Sequence, residues 1–224
     1  MANDSASDED IFDRWADSYD QQVRSSSTLF ACYDDVLAEV ARLARPGPGR
    51  HVLDLGAGTG NLAELLRAGG AAVTCMDSSA GMLERAVEKL GHDPDVHFLG
   101  CDDAFSRIPF CGACFDAVVS TFAFHHVPRA HHGHAVREML RVLCPGGAWV
   151  IGDLAFADEV AERKALTRHG WLEPEEFARL DEMGGQFREL GLELKARQFT
   201  AVTWVMWCFL PGPKPRGASG RGSE

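Results

Sequence analysis

The sequence predicts an α/β fold in which strands and helices alternate around a parallel sheet. Short apolar runs typical of strands alternate with helical patterns through the middle of the chain. One strand leads through a glycine-rich turn, Gly56 to Gly60, directly into a helix. The 224 residues, 46% hydrophobic and 25% charged, suffice for one sizeable domain and a smaller lobe.

Composition excludes several classes of partner. The net charge of −11 and the pI near 5.2 argue against a nucleic-acid or anionic membrane surface. Met1 to Asp10 is acidic and polar, so it does not resemble a signal peptide, and the apolar run Thr200 to Leu210 is too short to span a bilayer. Seven cysteines without a secretory signal predict reduced thiols and a cytoplasmic protein.

The N-terminal region is predicted to be helical after a disordered start at residues 1–10. Phe12, Trp15, Ala16 and Tyr19 recur at positions i, i+3, i+4 and i+7, which places them on one helix face. A second helix is predicted from about Leu29 to Ala44, before the linker Pro46-Gly47-Pro48-Gly49.

The first strand, around His51 to Leu55, is followed by glycines at alternate positions, Gly56, Gly58 and Gly60. Such a turn lets a ligand approach the backbone and directs free N–H groups toward it. The spacing differs from the G-x-G-x-x-G of dinucleotide-binding proteins. It is also no Walker loop, because Asn61 stands where that loop has a lysine.

The second strand, Ala71 to Met76, ends at Asp77, which is 21 residues after Gly56. An acid about 20 residues beyond the glycine turn binds a ribose in many βαβ nucleotide-binding folds. The alternative is a helix N-cap, since Asp77-Ser78-Ser79 opens the next helix. Ser78 or Ser79 can cap equally well, so ribose binding is the favoured interpretation.

The remaining elements continue the alternation. The predicted segments are helix Met82 to Leu90, strand Val96 to Leu99, strand Phe115 to Ser120, helix Gly133 to Leu143, strand Ala148 to Leu154, a charged helical stretch to about Gly191, and strands Leu192 to Phe199 and Ala201 to Leu210. The tail 211–224 is predicted to be disordered.

The Asp54 segment, hydrophobic-Asp-hydrophobic-Gly-x-Gly-x-Gly, resembles motif I of the class I S-adenosylmethionine-dependent methyltransferases. Within that class, the chain resembles one group of bacterial enzymes of unassigned substrate, from about residue 11 to 207. The stretches that carry this likeness are Phe12 to Asp20, Ser120 to His126, Phe156 to Glu159 and Val202 to Met206. The group often has Glu where this chain has Asp54 and Asp77.

The resemblance implies a Rossmann-like fold: a seven-stranded, mostly parallel sheet with an antiparallel final strand and an N-terminal helical cap. It places the methyltransferase domain at 11–210, the cap at 11–45 and the cofactor-binding core at 51–154. The implied residues for S-adenosyl-L-methionine are Asp54, Gly56, Gly58, Gly60, Asp77, Ser78, Asp102, Asp103 and Thr121.

Individual roles also follow from the resemblance. Asp54 is expected to hold the glycine turn and face the methionine end of the cofactor. Asp102, or alternatively Asp103, is expected to accept a hydrogen bond from the adenine amino group. Tyr19 is expected to face the sulfonium from the N-terminal helix.

Two adjacent histidines, His125 and His126, follow the fourth strand, where parallel sheets place their ligands. One of them is expected to orient or deprotonate the acceptor; packing against the Tyr19 helix carries nearly equal weight. No metal is expected, because no acid lies at ligand spacing and the other nearby histidines diverge. The single C-x-x-C pair, Cys111 and Cys114, predicts no zinc site.

The predicted function is methyl transfer from S-adenosylmethionine to a small-molecule acceptor, because no recognition domain for protein or nucleic acid is visible. Two alternatives stay open. One is a non-catalytic cofactor-binding or regulatory protein. The other is an NAD-dependent oxidoreductase, which the glycine spacing disfavours.

Overall fold

A computed structural model describes residues 15–25, 30–170, 172 and 175–212. The N-terminal segment predicted to be disordered, 1–10, and most of the predicted tail lie outside these ranges, as do the first residues of both predicted N-terminal helices.

The sheet follows the order β3-β2-β1-β4-β5-β8-β7, with the short β6 pairing beside β5. The strands are β1 His51–Leu55, β2 Ala72–Asp77, β3 Val96–Gly100, β4 Phe115–Thr121, β5 Leu143–Phe156, β6 Ala178–Arg179, β7 Lys195–Gln198 and β8 Thr203–Phe209. Strand β8 is antiparallel to both β5 and β7, and the other pairs are parallel. The predicted sheet, mostly parallel with an antiparallel final strand, is confirmed.

Seven helices surround the sheet in the described part of the chain. They are α1 Tyr19–Ser25, α2 Tyr33–Ala44, α3 Asn61–Ala68, α4 Ala80–Leu90, α5 His132–Arg141, α6 Glu159–Arg168 and α7 Leu180–Glu189. Two differences from prediction stand out. Tyr19 begins α1 rather than ending a helix, because Trp15 to Ser18 forms a turn in which the Ser18 N–H donates to the Trp15 carbonyl at 3.0 Å. The charged stretch forms two helices separated by β6.

The core lies on both faces of the central strands. Val52 and Leu53 are neighbours in β1, both fully buried, yet they belong to different hydrophobic clusters. Successive side chains of a strand point to opposite faces, so continuous burial indicates a sheet covered on both sides. Gly152 of β5 allows α2 to pack close to the sheet, because a Cβ at this position would lie only 2.6 Å from the Val36 side chain.

Two further findings concern expectations from composition. Cys111 and Cys114 are joined in a disulfide, so the expectation that all thiols are reduced is wrong for this pair. The two residues are separated by only two others in the loop before β4, which keeps their sulfur atoms within bonding reach. None of the helices in the described ranges is long and apolar enough to cross a membrane.

Candidate active site

A cavity of about 520 Å³ lies beyond the carboxyl ends of β1 to β4. The loops after these strands form its walls, together with Tyr19 and Tyr33 from the N-terminal region. The predicted site residues that line it are Tyr19, Gly56, Gly58, Asp77, Ser78, Asp102, Asp103, Thr121 and His126. Asp54, Gly60 and His125 are not part of the lining.

The glycine turn forms a cradle that only residues without a Cβ fit comfortably. Gly56, Gly58 and Gly60 have φ values of 68°, 54° and 82°, in the left-handed region that glycine adopts readily. A Cβ on Gly56 would lie 2.3 Å from the Cβ of Ala123. A Cβ on Gly58 would meet nothing within 4 Å, so this backbone is open to the cavity. The turn therefore fits a cofactor that approaches the main chain closely.

The end of β2 holds this turn in place. The N–H groups of Gly56 and Ala57 donate to the Met76 carbonyl at 2.8 and 3.0 Å. The Gly58 N–H donates to Asp77 Oδ2 at 2.7 Å. The residue that anchors the turn is thus Asp77, for which the sequence predicted ribose binding, with a helix N-cap as the alternative.

Asp54 does not hold the glycine turn, contrary to the expectation. Its side chain is fully buried, and neither carboxylate oxygen has a hydrogen-bond partner among the described residues. Burial raises the pKa of Asp54 to about 8, with a further contribution from the charge of Asp77. A buried acid without hydrogen-bond donors around it is more stable in its protonated form. Asp54 therefore provides no negative charge that could hold the glycine turn.

Asp77 is not the N-cap of α4, which answers the alternative left open by the sequence. The cap is Ser79, whose hydroxyl accepts from the Met82 N–H at 3.1 Å. Asp77 Oδ1 instead accepts from the Ser79 N–H at 2.9 Å. Ser78 is exposed and lines the cavity.

The loop after β3 provides the two candidate acids for the adenine. Asp102 and Asp103 are both exposed, and both line the cavity beside Phe105. The geometry therefore keeps both carboxylates as candidates. A partly buried aromatic ring beside them offers an apolar surface for a flat base.

Helix α1 is fastened over the cavity by Asp20, a residue without an assigned role in the sequence analysis. Asp20 Oδ1 accepts from the Thr59 hydroxyl at 2.6 Å and from Asn61 Nδ2 at 2.8 Å, while Oδ2 pairs with the Lys89 ammonium. Burial alone raises the pKa of Asp20, but these hydrogen bonds outweigh burial and lower it. Tyr19, the preceding residue, is thereby held against the cavity.

An aromatic wall stands beside the glycine turn. The Tyr19 hydroxyl is hydrogen-bonded to Tyr33, and the Phe122 ring stacks on the Tyr33 ring at 5.4 Å. Burial raises the pKa of both phenols, that of Tyr33 to about 12, so both stay protonated at neutral pH. A protonated phenol cannot act as a base, and Tyr19 lines the cavity with its hydroxyl bonded to Tyr33. Phe122 has a φ of +50°, an uncommon conformation for an aromatic residue, at the end of β4.

The two adjacent histidines occupy different environments. His126 is exposed and lines the cavity, whereas His125 is only 9% exposed and lies outside the lining. His125 Nδ1 is 2.6 Å from Asp153 Oδ1. Burial lowers the pKa of His125, but the charge and hydrogen bond of Asp153, with the charge of Glu175, raise it overall. The expectation that His125 acts directly on the acceptor is therefore corrected, because His125 lies behind the residues that line the cavity.

Asp153 is the most informative residue that sequence analysis missed. It lies in β5, is fully buried, and accepts from the backbone N–H groups of Phe124, His125 and Leu154 at 2.7 to 3.2 Å. A lone acid in the apolar run from Ala148 to Phe156 was the available signal. No sequence feature marked Tyr33 or Phe122 as site residues, because aromatic residues on a helix face or after a strand are common.

Residues 52–147 match the family model for a methyltransferase domain. An uncharacterized methyltransferase of Geobacillus thermodenitrificans is 35% identical over 210 residues, covering 88% of this chain and 94% of the relative. The chain belongs to the S-adenosylmethionine-dependent methyltransferases. A second relative of this methyltransferase, from Geobacillus kaustophilus, is 34% identical with the same coverage.

Two solved structures share the fold of this methyltransferase. A methyltransferase of Haloferax volcanii, in complex with the Trm112 methyltransferase activator, is 22% identical with a TM-score of 0.69, covering 92% of this chain and 100% of that one. DhpI, in a complex with SAM and HEP, is 21% identical with a TM-score of 0.67, covering 88% and 94%. Family membership excludes the oxidoreductase alternative.

Proposed function

We propose that this methyltransferase transfers the methyl group of S-adenosylmethionine to a small-molecule acceptor that enters the same cavity as the cofactor. One observation carries the proposal: a single cavity of about 520 Å³ contains the cofactor-binding candidates and also His126 and Tyr19. Cavities of about 300–1,000 Å³ are typical of small-molecule sites.

The cofactor-binding residues are assigned by their places along the cavity. The open backbone at Gly58 fits the methionine part, Asp77 fits the ribose hydroxyls, and Asp102 or Asp103 fits the adenine amino group. Ser78 and Thr121 line the cavity beside them. When bound, S-adenosylmethionine supplies an electrophilic methyl group on a positively charged sulfur.

The acceptor side is assigned to Tyr19, Phe122 and His126. The aromatic residues exclude water from the reaction and favour positive charge near their ring faces. His126 orients the acceptor atom or takes its proton. Because methyl transfer from a sulfonium has a good leaving group, most of the rate enhancement is expected from alignment.

A small molecule fits this site better than a macromolecule. The net charge of −11 disfavours binding to the phosphate backbone of a nucleic acid. The Haloferax neighbour was solved with an activator protein, but that likeness at 22% identity concerns the fold alone.

The test is methyl transfer from S-adenosylmethionine labelled in its methyl group into a cell extract divided into small-molecule, protein and nucleic-acid fractions. The proposal predicts an enzyme-dependent labelled product in the small-molecule fraction. Label in either macromolecular fraction would overturn the acceptor class. Cofactor binding without labelled product in any fraction would favour the non-catalytic alternative.

A further inference from the structure

The fold brings together three potential metal ligands that are not contiguous in sequence. His125 and His126 lie in the turn after β4, and Glu175 lies in the segment before β6, 49 residues after His126. One ligand atom from each of the three side chains lies within 4.8 Å of the other two. We propose that His125, His126 and Glu175 bind a divalent transition-metal ion at the wall of the cavity.

Asp153 prepares His125 for this role. Its oxygens accept three backbone N–H groups as well as the ring, which is consistent with an ionised carboxylate that only accepts. Nδ1 therefore carries a proton, and Nε2 points away from Asp153 toward Glu175, where a metal ion would take the place of any proton on Nε2. A buried carboxylate behind a histidine is the usual arrangement that orients a metal-binding imidazole.

The distance between two of the ligand atoms fits a shared ion. His125 Nε2 and Glu175 Oε2 are 3.3 Å apart. Nitrogen and oxygen ligands at about 2.0–2.1 Å from a tetrahedral ion are separated by about 3.3 Å. An ion pair between His125 and Glu175 has a similar distance, but it involves only two of the three groups; the His126 ring lies beside them, with its centroid 4.1 Å from that of His125.

Charge and ligand type indicate the class of metal. Two imidazoles and one carboxylate suit zinc and its neighbours in the first transition row better than calcium or magnesium, which prefer oxygen ligands. The carboxylates of Glu175 and Asp153 balance a doubly charged ion. Three protein ligands leave a position open, as in catalytic rather than structural zinc sites.

The position of the cluster suggests what the ion does. His126 also lines the cavity, so the ion lies beside the space assigned to the acceptor. There it can bind a hydroxyl or thiol of the acceptor and promote loss of its proton. This role in transfer rests on the proposed function, whereas metal binding itself does not.

The experiment is a titration of the full-length, tag-free protein with Co²⁺, a coloured substitute for zinc, followed by its visible absorption. We expect one Co²⁺ bound per chain, a spectrum typical of four- or five-coordinate cobalt, and displacement by Zn²⁺. Glu175→Gln and His126→Ala should each weaken binding at least 10-fold; both side chains are partly exposed, so the fold should survive.

His134→Ala is the matched control. His134 is an exposed histidine of the next helix, outside the cluster, and its replacement should leave Co²⁺ binding unchanged. Binding that is non-stoichiometric, or equally strong in the Glu175→Gln variant, would overturn the proposed site. Failure of the proposed function is distinguishable: stoichiometric Co²⁺ binding without methyl transfer supports the metal site and contradicts the function. Undiminished transfer by chelator-treated protein contradicts the role of the ion in transfer.

Discussion

Asp77 Oδ2 accepts the backbone N–H of Gly58 at 2.7 Å, which joins the end of β2 to the middle of the glycine turn. Asp77 Oδ1 accepts the N–H of Ser79 in addition. The carboxylate assigned to the ribose is therefore also part of the scaffold that shapes the turn. Substitutions at this position should affect stability as well as cofactor affinity.

The first prediction concerns that scaffold. Asp77→Asn should lower the free energy of unfolding by about 1–2 kcal/mol, because an amide oxygen can accept from only one of the two N–H groups. Urea denaturation measures the change. Ser78→Ala is the control, since Ser78 is exposed beside Asp77, and should change stability by less than about 0.5 kcal/mol. Equal stability of Asp77→Asn and the parent would show that the turn does not depend on this carboxylate.

The second prediction concerns the attachment of α1. Asp20→Asn should weaken cofactor binding about 3- to 10-fold, because it removes the charge that pairs with Lys89 and holds Tyr19 over the cavity. Asp17→Asn is a close control: Asp17 forms an exposed ion pair with Arg85 of the same helix as Lys89. Calorimetric titration of both variants measures the difference. Similar cofactor affinities in the two variants would contradict a specific role for Asp20.

The third prediction concerns His126. His126→Ala should reduce kcat at least 10-fold while the cofactor dissociation constant changes less than about 3-fold, because the side chain is assigned to the acceptor rather than the cofactor. Single-turnover methyl transfer and calorimetry give the two numbers. His134→Ala, outside the cavity, should leave both unchanged. A collapse of cofactor affinity with normal turnover of the bound fraction would place His126 on the cofactor side.

The fourth prediction follows from the raised pKa of Asp54. Between its ordinary pKa of 3.8 and its folded value of about 8, the folded state keeps a proton that the unfolded state has lost. The contribution of Asp54 to stability therefore falls as the pH rises through this window, by at most about 1.4 kcal/mol per pH unit. Asp54→Asn, a neutral substitute, should lack this dependence.

Urea denaturation at pH 5.5, 6.5 and 7.5 tests the Asp54 prediction. The stability of the parent relative to Asp54→Asn should decline steadily across this series. The comparison cancels the other titrating groups, which are the same in both proteins. Parallel pH profiles would mean that Asp54 is ionised in the folded state.

The sheet could be predicted from the sequence because the patterns that indicate it lie within short stretches of consecutive residues. Alternating apolar runs, the glycine turn and the acid at the end of β2 each occupy a few consecutive residues, and their order along the chain determines their order at the cavity. The antiparallel end of the sheet came from the family resemblance rather than from periodicity.

The parts that sequence could not supply depend on contacts between distant residues. Asp20 reaches Lys89 across 69 positions, and Asp153 reaches His125 across 28. No spacing rule connects such pairs, because a fold determines which loops meet at the sheet edge. The role expected for Asp54 failed for a related reason: motif position does not show whether a carboxylate finds hydrogen-bond donors.

We propose that this cavity binds S-adenosylmethionine with Asp77 hydrogen-bonded to the ribose. The decisive experiment is calorimetric titration of the parent and of Asp77→Ala with S-adenosylmethionine, with NAD as the control ligand. We expect stoichiometric binding of S-adenosylmethionine by the parent and no comparable binding of NAD. Asp77→Ala should lose affinity 10- to 100-fold, as expected for about 1.5–3 kcal/mol of charge-assisted hydrogen bonding. Unchanged S-adenosylmethionine affinity in a folded Asp77→Ala variant would contradict the ribose assignment, and preferential NAD binding by the parent would contradict the cofactor itself.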